Sequence, residues 1–522
     1  MSLIDYSLYL VTGRSLLPPE KDYYQSLEES LQGGVTVVQI REKDAETAEF
    51  LEVATKSKEI CDRYDVPILI NDRVDVALAV GAHGVHVGQT DMSVALLRSL
   101  LPKNAIIGVS CNNTDHVRKA IKDGVDYIGI GAVWGTQTKK LTNPLVGVRG
   151  VSSRLELLDG TNIKAVAIGG IKSTNLLRTL HGSVTTTNHV LDGIAVVSEI
   201  VASQEPRQAA EKLSKIFKSF RAEPPRGISS SEGVPAERVI INKVAQLMSA
   251  VRDINPLVHQ ITNIVAATQS ANITLALGGS PIMATEPKEM EDISRISNAL
   301  LVNIGTMRFD GKESMSKAGY FANANKKPLV FDPVGIGASA FRKETVKDLL
   351  NTFQASVIKG NAGEMAALAN SQEVLTKGVD SLGAGFKDPV GFVRALAKKE
   401  RCVIAMTGAV DYISDGVSVI ALRNGHEVLG KFTGSGCIVG SSIATYCGVV
   451  SAQSEKEDGK LVHGDMLLGA VAGILVLTVA AELAVQREDV KGPGTFLPAL
   501  IDQLWSLKPE TVQSLARLEV FS

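Results

Sequence analysis

The sequence predicts an α/β protein of two domains, and three observations lead to this prediction. Eight short runs of β-branched residues recur in the first part of the chain, each followed by a helical pattern. A proline-, glycine- and serine-rich stretch then interrupts the apolar periodicity at residues 221–235. Beyond it, strands alternate with longer helices and glycine-rich turns. The architecture therefore changes at the proline-rich stretch.

This stretch has the composition of an interdomain linker. Apolar residues at helical spacing precede it, ending at Phe220, and others follow it, beginning at Val239. One domain thus ends in an amphipathic helix and the next begins with one. A chain of 522 residues is also too long for one ordinary core. We expect domains at residues 1–222 and 238–522, joined by a linker at 223–237.

The composition favours small-molecule partners in a reducing compartment. A formal net charge of −2 provides no electrostatic surface for nucleic acid or an anionic membrane. The 5 cysteines lack the spacing of disulfide, redox or zinc motifs. The N-terminus lacks the regions of a secretory signal, so we expect a cytoplasmic protein. The apolar segment 466–481 is expected to form a core helix rather than a membrane span.

In the first domain, the alternation of strands and helices predicts a (β/α)8 TIM barrel. Continuously apolar runs suit parallel strands that are buried on both faces. Two fused Rossmann halves are the alternative architecture. The predicted strands are residues 8–11, 36–40, 68–70, 84–87, 106–109, 127–130, 165–168 and 194–197.

Polar residues follow these apolar runs, which is where a barrel places its chemistry. Cations and hydroxyl groups suit phosphate oxygens, and the carboxylates of Asp72 and Asp91 suit Mg²⁺. A substrate carrying a magnesium-bound diphosphate is therefore predicted. His83 and His86 have no convincing third ligand beside them and are expected to be structural. The candidate residues at these strand ends are Gln39, Arg41, Lys43, Asn71, Asp72, Asp91, Ser110, Thr136, Thr138, Lys139, Gly170, Val197 and Ser198.

The second domain is expected to be an α/β sandwich around a mainly parallel sheet. Its turn at Gly434–Cys437 leads directly into a helix, so several backbone N–H groups and the helix dipole face one point. Asp332 and Glu364 follow strands and are candidates to orient Mg²⁺ for a nucleotide. A kinase without a P-loop is predicted, since no Gly-x-x-x-x-Gly-Lys-Ser/Thr sequence is present. Cys437 fits equally well as a small buried apolar residue.

The first domain resembles thiamine phosphate synthase in four motifs, Gln39-Ile-Arg-Glu-Lys43, Ile70-Asn-Asp-Arg73, Gly84-Val-His-Val-Gly-Gln89 and Thr136-Gln-Thr-Lys139. That family joins hydroxymethylpyrimidine diphosphate to hydroxyethylthiazole phosphate. The resemblance implies that Asp72 and Asp91 bind magnesium and that Arg41 and Lys139 stabilise the leaving pyrophosphate. It implies pyrimidine diphosphate contacts from Gln39, Arg41, Lys43, Asn71, Ser110 and Lys139. It implies thiazole phosphate contacts from Thr136, Thr138, Gly170, Val197 and Ser198.

The second domain resembles hydroxyethylthiazole kinase, which has the ribokinase-like fold and uses ATP. The motifs include Val258-His-Gln-Ile-Thr-Asn263, Asp332-Pro-Val-Gly335, Gly360-Asn-Ala-Gly-Glu364 and Gly434-Ser-Gly-Cys437. The resemblance implies thiazole contacts from Met283 and Gly434, and ATP contacts from Arg342 and Thr407. It places Cys437 where related kinases carry an aspartate base, and a thiolate there requires a lowered pKa. A homo-oligomer built on a kinase trimer is also implied.

Together the two resemblances imply successive steps of thiamine biosynthesis, in which the kinase makes the thiazole phosphate that the synthase consumes. Two alternatives remain. One is a barrel isomerase fused to a sugar or vitamin kinase, which the acid pair Asp72 and Asp91 disfavours because an isomerase needs a proton-abstracting base. The other is a sensor without catalysis, which the intact set of polar residues disfavours.

Overall fold

The computed structural model describes residues 4–138, 143–222, 236–307, 311–377, 380–382 and 385–522. The chain divides into two compact units, Met1–Pro225 and Arg226–Ser522. Most of the predicted linker lies outside the described residues, so its bounds stay a prediction.

The first unit is a closed barrel of eight parallel strands, which confirms the predicted TIM architecture and excludes the Rossmann alternative. Each strand pairs with its sequence neighbour, and the first strand pairs with the eighth to close the ring. The strands are β1 Leu8–Val11, β2 Val37–Ile40, β3 Ile68–Asn71, β4 Gly84–Val87, β5 Ile106–Cys111, β6 Tyr127–Gly131, β7 Lys164–Ile168 and β8 Gly193–Val196.

Helices follow the strands and cover the outside of the barrel. Their ends have the expected caps: the side chains of Asp22, Ser93 and Asn113 accept backbone N–H bonds at helix starts, and Gly81 and Gly124 end helices with positive φ. The helices are α1 Tyr23–Gln32, α2 Thr47–Asp62, α3 Val74–Val80, α4 Val94–Leu100, α5 Thr114–Asp123, α6 Gly147–Leu155, α7 Leu176–Ser183, α8 Ser198–Val201 and α9 Pro206–Ala222.

The strands of the barrel are buried on both faces. Their outward side chains pack against the helices in the large core of the unit. Their inward side chains form a separate cluster that fills the barrel interior. Its fully buried members are Tyr6, Tyr9, Val11, Val37, Leu69, Ile106, Tyr127, Val166 and Ala195. Because side chains alternate along a strand, the residues two positions further along also face inward at the barrel end.

The second unit contains a sheet of nine strands among the residues described. Its order is β10-β9-β11-β12-β13-β16-β17-β18-β19, parallel as far as β16 and antiparallel beyond it, and β14 and β15 form a separate hairpin. The strands are β9 Leu257–Ile261, β10 Ser280–Ile282, β11 Ala299–Asn303, β12 Leu329–Asp332, β13 Val357–Asn361, β14 Leu375–Lys377, β15 Asp380–Leu382, β16 Val403–Thr407, β17 Asp411–Ser414, β18 Val419–Leu422 and β19 Leu518–Phe521.

Helices pack on both faces of this sheet, forming two separate cores. They are α10 Glu237–Ile254, α11 Ala267–Leu277, α12 Met290–Ile296, α13 Gly311–Ala324, α14 Ala340–Thr352, α15 Ala362–Ala369, α16 Pro389–Glu400, α17 Ser435–Gln453, α18 Met466–Val485, α19 Pro493–Ser506 and α20 Pro509–Leu515.

Two of these helices, α17 and α18, are long and apolar enough to cross a membrane by length and composition. Both are mostly buried within the unit, and they pack against each other in the larger of its cores. Burial of this kind is typical of core helices, and it accounts for the continuous apolar sequence of α18 without a lipid environment. The segment 466–481 therefore lies in a core helix, as expected.

Candidate active sites

In the barrel, the predicted pyrimidine diphosphate residues lie at the carboxyl ends of neighbouring strands. Gln39 and Asn71 are two positions beyond Val37 and Leu69 of the interior cluster, and both are buried. Ser110 lies four positions beyond Ile106 on the same face of β5. The alternation of strand side chains thus places these polar groups at the open end of the barrel interior.

The acid pair Asp72 and Asp91 lies at the same end. Asp72 directly follows β3 with a φ of 61°, a left-handed conformation that is uncommon outside glycine and recurs at functional sites. Its carboxylate accepts a hydrogen bond from Asn71 Nδ2 at 2.7 Å and lies 3.2 Å from Lys43 Nζ. Asp91 accepts the Gly88 N–H at 2.7 Å. Two acids and a lysine are therefore brought together.

The electrostatics of this pair fit a divalent cation. Burial raises the pKa of Asp72, and the neighbouring Asp91 carboxylate raises it further, while Lys43 lowers it. A cation bound between two carboxylates removes the repulsion between their negative charges. The described residues contain no cluster of three or more His, Cys, Asp or Glu side chains able to hold a metal. Mg²⁺, however, commonly takes one or two carboxylates and completes its shell with substrate phosphate and water.

The predicted thiazole phosphate residues follow β6, β7 and β8. Gly170 has a φ of 65°, and a Cβ there would lie 2.4 Å from the Gly135 carbonyl oxygen, so only glycine fits this turn. Val197 and Ser198 begin the short helix α8. The Thr138 N–H donates to Thr136 Oγ1 at 3.2 Å. Lys139, predicted to bind the diphosphate, lies outside the described residues.

In the second unit, the predicted kinase residues gather at the carboxyl edge of the parallel strands. Asp332 at the end of β12 pairs in register with Asn303 at the end of β11. Thr407 at the end of β16 pairs with Asn361 at the end of β13, and its hydroxyl donates to the Gly360 carbonyl at 3.3 Å. Met283 directly follows β10. The edge of a parallel sheet is the expected place for a ligand.

A buried polar network occupies the centre of this edge. Asp332 and Lys359 are 0% and 3% exposed and form an ion pair at 3.3 Å. Asn303 Nδ2 donates to Asp332 Oδ2 at 2.8 Å. Burial opposes the charge on Lys359, but the carboxylates of Asp332 and Glu364 outweigh it and raise the pKa of the lysine. The network therefore favours a charged lysine at the strand ends.

Asp332 and Glu364, which are predicted to orient Mg²⁺ for a nucleotide, both contact other protein groups in this arrangement. The two oxygens of Glu364 accept the N–H groups of Gly335 at 2.8 Å and Asn361 at 2.9 Å, the latter as part of a capping box. Burial, followed by the charge of Asp332, raises the pKa of Glu364 to about 7. Asp332 is held by Lys359 and Asn303. Both carboxylates therefore form hydrogen bonds or an ion pair within the protein.

Arg342, which is predicted to contact ATP, lies at the same strand ends. Its guanidinium donates to the carbonyls of Ile304 and Val334 at 2.8 Å and of Gly305 at 2.7 Å. These carbonyls belong to the turns after β11 and β12, so Arg342 links the two turns through hydrogen bonds. The cation beside the glycine turn is Lys359, since a Cβ on Gly436 would lie 3.2 Å from its Nζ.

The glycine turn begins α17, with Gly434 as its N-cap at a φ of 85°. A Cβ on Gly434 would lie 2.5 Å from Gln269 Oε1, which itself has no hydrogen-bond partner among the described residues. An unpaired buried oxygen next to a helix N-terminus leaves capacity to bind a ligand. The turn thus combines close backbone approach with an available acceptor.

Cys437 lies in the first turn of α17 and is buried. Asn263 and Asn303 donate their Nδ2 hydrogens to its Sγ at 3.1 and 3.3 Å. Burial, and then the charge of Asp332, raise the pKa of the Cys437 thiol. The lowered pKa that a thiolate base requires is therefore not observed here.

Several polar residues of these sites were not singled out from the sequence. Lys359 was not among the predicted site residues, because its residue type alone gives no sign that it faces Asp332. Asp411 accepts the Gly408 N–H at 3.0 Å next to Thr407, and burial raises its pKa to about 7. In the barrel, His86 was expected to be structural, and its Nε2 lies 2.9 Å from Oγ of the predicted site residue Ser110. The sequence signal that could have identified these residues is a charged side chain or an imidazole at the end of an apolar strand.

The fold and sites define a two-unit transferase, with a phosphate-handling barrel and an α/β kinase lacking a P-loop. A family model described as thiamine monophosphate synthase matches residues 8–200, and one described as hydroxyethylthiazole kinase family matches residues 248–510.

Curated relatives match over the whole chain. A probable thiamine biosynthetic bifunctional enzyme of Schizosaccharomyces pombe is 40% identical over 519 residues, covering 98% of this chain and 96% of the relative. The thiamine biosynthetic bifunctional enzyme of Saccharomyces cerevisiae is 37% identical, covering 97% of each chain. A hydroxyethylthiazole kinase of Ruminiclostridium cellulolyticum is 40% identical over 264 residues, covering 50% of this chain and 92% of the relative.

The chain belongs to the family of bifunctional thiamine biosynthetic enzymes. It carries thiamine phosphate synthase and hydroxyethylthiazole kinase activities in one polypeptide, and the kinase family implies the use of ATP. This confirms the predicted function. It leaves no support for the isomerase and sensor alternatives.

Replacing Asp72 by asparagine tests the electrostatics of the acid pair. A raised folded-state pKa means that Asp72 contributes stability below its unfolded pKa and loses it as pH rises through the folded value. Neutral asparagine, which tolerates positive φ, should therefore raise the barrel's Tm by a few degrees at pH 7.5 without Mg²⁺, and the gain should vanish near pH 3.8. Adding Mg²⁺ should raise the Tm of the wild type but not of Asp72→Asn.

Asp75→Asn is the matched control for this measurement, because the exposed Asp75 pairs with Arg73 at 2.6 Å outside the site. It should keep the Mg²⁺ response without gaining stability. An undiminished Mg²⁺ response in Asp72→Asn would show that Asp72 is not a ligand.

Replacing Cys437 by alanine tests whether its sulfur acts as a base. Because the thiol pKa is raised, we expect kinase kcat to fall less than about tenfold, well short of the ~10²–10⁴-fold typical of a lost general base. The control is Cys402→Ala, another buried cysteine of this unit outside the strand-end network. A loss of several hundredfold confined to Cys437→Ala would contradict this assignment.

Proposed function

We propose that the second unit phosphorylates hydroxyethylthiazole with ATP and that the first unit joins the resulting phosphate to hydroxymethylpyrimidine diphosphate. The products are thiamine phosphate and pyrophosphate. The observation that carries this division is the acid pair Asp72 and Asp91 beside Lys43 at the open end of the barrel. Two carboxylates beside a lysine suit a magnesium-bound diphosphate.

In the barrel, the diphosphate side of the site follows β2, β3, β5 and β6, and the thiazole phosphate side follows β6, β7 and β8. We assign the pyrimidine diphosphate to Gln39, Arg41, Lys43, Asn71, Ser110 and Lys139, with Asp72 and Asp91 holding Mg²⁺. We assign the thiazole phosphate to Thr136, Thr138, Gly170, Val197 and Ser198. Gly170 supports the second assignment because its backbone approaches a ligand without a side chain in the way.

The proposed condensation is a dissociative substitution at the pyrimidine methylene carbon. The carbon–oxygen bond to the diphosphate breaks first, and its electron pair leaves with pyrophosphate. The thiazole nitrogen then donates its lone pair to the cationic carbon. Arg41, Lys43 and Lys139 stabilise the charge of the leaving group, and bound Mg²⁺ supplies further positive charge at the same oxygens. No proton is removed, so the chemistry needs positioning and electrostatics rather than a base.

In the kinase unit, we place the thiazole against Met283 and Gly434, and ATP against Thr407. The N–H groups at the start of α17 and the ammonium of Lys359 are positioned to stabilise the transferring phosphoryl group. Arg342 is also assigned to ATP, and its bonds to backbone carbonyls hold it at the strand ends. Asp332 and Glu364 would orient Mg²⁺ for the nucleotide at the same edge of the sheet.

The proposed assembly is a cytoplasmic homo-oligomer built on a kinase trimer, with the two domains joined by a linker at residues 223–237. Ile264 and Val265 support the trimer: they follow Asn263 of the buried network and are 75% and 55% exposed. Exposed apolar side chains next to a site often mark a protein interface, and a second copy of the chain would bury them.

An assay of substrate requirements tests the proposed function. Purified protein with Mg²⁺ and hydroxymethylpyrimidine diphosphate receives either the thiazole alcohol or the thiazole phosphate, each with and without ATP, and thiamine phosphate is measured by mass. The alcohol should give product only with ATP, while the phosphate should need none. No product from thiazole phosphate, with the alcohol still phosphorylated, would contradict the assignment of the barrel.

A further inference from the structure

A chain of hydrogen bonds crosses the interior of the barrel and joins two residues of the proposed pyrimidine site. Gln39 Nε2 donates to the Tyr9 hydroxyl at 2.7 Å, and this hydroxyl lies 2.7 Å from that of Tyr127. The Tyr127 hydroxyl lies 2.7 Å from His86 Nδ1, and His86 Nε2 lies 2.9 Å from Ser110 Oγ. Strands β1, β2, β4, β5 and β6 each supply one member.

The interior is shaped to hold this chain. Tyr9 and Tyr127 are 1% and 0% exposed, and burial raises the pKa of both, so their hydroxyls stay protonated. A Cβ on Gly108 would lie 2.0 Å from the Tyr127 ring, so glycine at this position of β5 leaves the space that the ring fills. Polar groups this deep in a core are costly unless every one is paired.

The pairing also sets the direction of the chain. Because the Gln39 amide nitrogen can only donate, the Tyr9 oxygen accepts, and Tyr127 is the acceptor that the structure offers for the buried Tyr9 hydrogen. Tyr127 then donates to His86 Nδ1, which leaves the imidazole hydrogen on Nε2. That hydrogen points to Ser110 Oγ, so the serine's own hydrogen is free to be donated elsewhere.

We propose that Tyr9, Tyr127 and His86 are positioning residues that fix the hydrogen-bonding polarity of the pyrimidine site. Ser110 is presented as a donor, suited to a ring nitrogen of the substrate, and Gln39 presents its side-chain oxygen as an acceptor. This inference rests on the proposed function of the barrel. It also replaces the expectation that His86 is merely structural.

Tyr127→Phe tests the proposal, because it keeps the ring and removes the hydroxyl that links Tyr9 to His86. The matched control is Tyr6→Phe, whose ring lies 5.0 Å from that of Tyr127 and whose hydroxyl is outside the chain. With thiazole phosphate supplied, kcat/KM for hydroxymethylpyrimidine diphosphate should fall about three- to tenfold in Tyr127→Phe, the effect of one neutral hydrogen bond. It should stay near the wild-type value in Tyr6→Phe. Kinase activity of the same chain should be unchanged in both.

Two further readouts separate positioning from a general structural effect. Nitrogen-15 NMR, with His86 assigned by a His86→Asn variant, should show the hydrogen on Nε2 in the wild type and a mixture of tautomers in Tyr127→Phe. In a Ser110→Ala background, adding Tyr127→Phe should cause a smaller loss than it does alone, since the part of its effect that passes through the serine is already gone. If Tyr127→Phe fails to fold, Tyr9→Phe breaks the neighbouring link and takes its place.

The outcomes distinguish this proposal from the function on which it rests. Wild-type protein that makes no thiamine phosphate would overturn the proposed function itself. An active wild type with equal kcat/KM in Tyr127→Phe and Tyr6→Phe would overturn only the positioning role. Additive losses in the double variant, or a His86 hydrogen on Nδ1 in the wild type, would do the same.

Discussion

A carboxylate at the buried end of a parallel strand must have its charge balanced, and both units are organised around this constraint. In the barrel, Lys43 lies 3.2 Å from Asp72 and neutralises only part of the negative charge of Asp72 and Asp91. A further cation would therefore be stabilised at this site. In the kinase unit, Asp332 is paired internally with Lys359. We propose that the first arrangement binds a metal with an anionic substrate and that the second provides a cation for a phosphoryl group.

Backbone shape then determines where the anions approach. Gly170 in the barrel and Gly434 in the kinase unit both have positive φ, and added Cβ atoms would lie 2.4 and 2.5 Å from neighbouring oxygens. These turns are therefore confined to glycine, which lets N–H groups reach a phosphate. Hydrogen bonds within the protein fix other polar groups: Arg342 donates to carbonyls of two strand-end turns, and a chain of bonds joins Gln39 to Ser110. Such networks limit the number of positions that the reactive groups can take.

Much of this was predictable from the sequence, because parallel strands buried on both faces leave continuous apolar runs and the barrel topology fixes which end carries the chemistry. The runs at 8–11 and 84–87 match β1 and β4 residue for residue. Pairing inside the core was not predictable. The residue types do not show that Arg342 donates to three carbonyls or that His86 contacts Ser110. These contacts join strands and loops that are distant in sequence. The pKa of Cys437 likewise depends on burial and on Asp332.

The central claim is that two independent sites act in succession, and mixing two variants tests it most directly. Asp72→Asn disables the barrel, and Asp332→Asn disables the kinase because it removes the carboxylate that favours the charged form of Lys359. Neither variant alone should convert the thiazole alcohol, ATP and hydroxymethylpyrimidine diphosphate into thiamine phosphate. An equal mixture should restore the product, because the kinase of the first supplies thiazole phosphate to the barrel of the second. Failure of the mixture, with each variant retaining its other activity, would contradict sites that act independently.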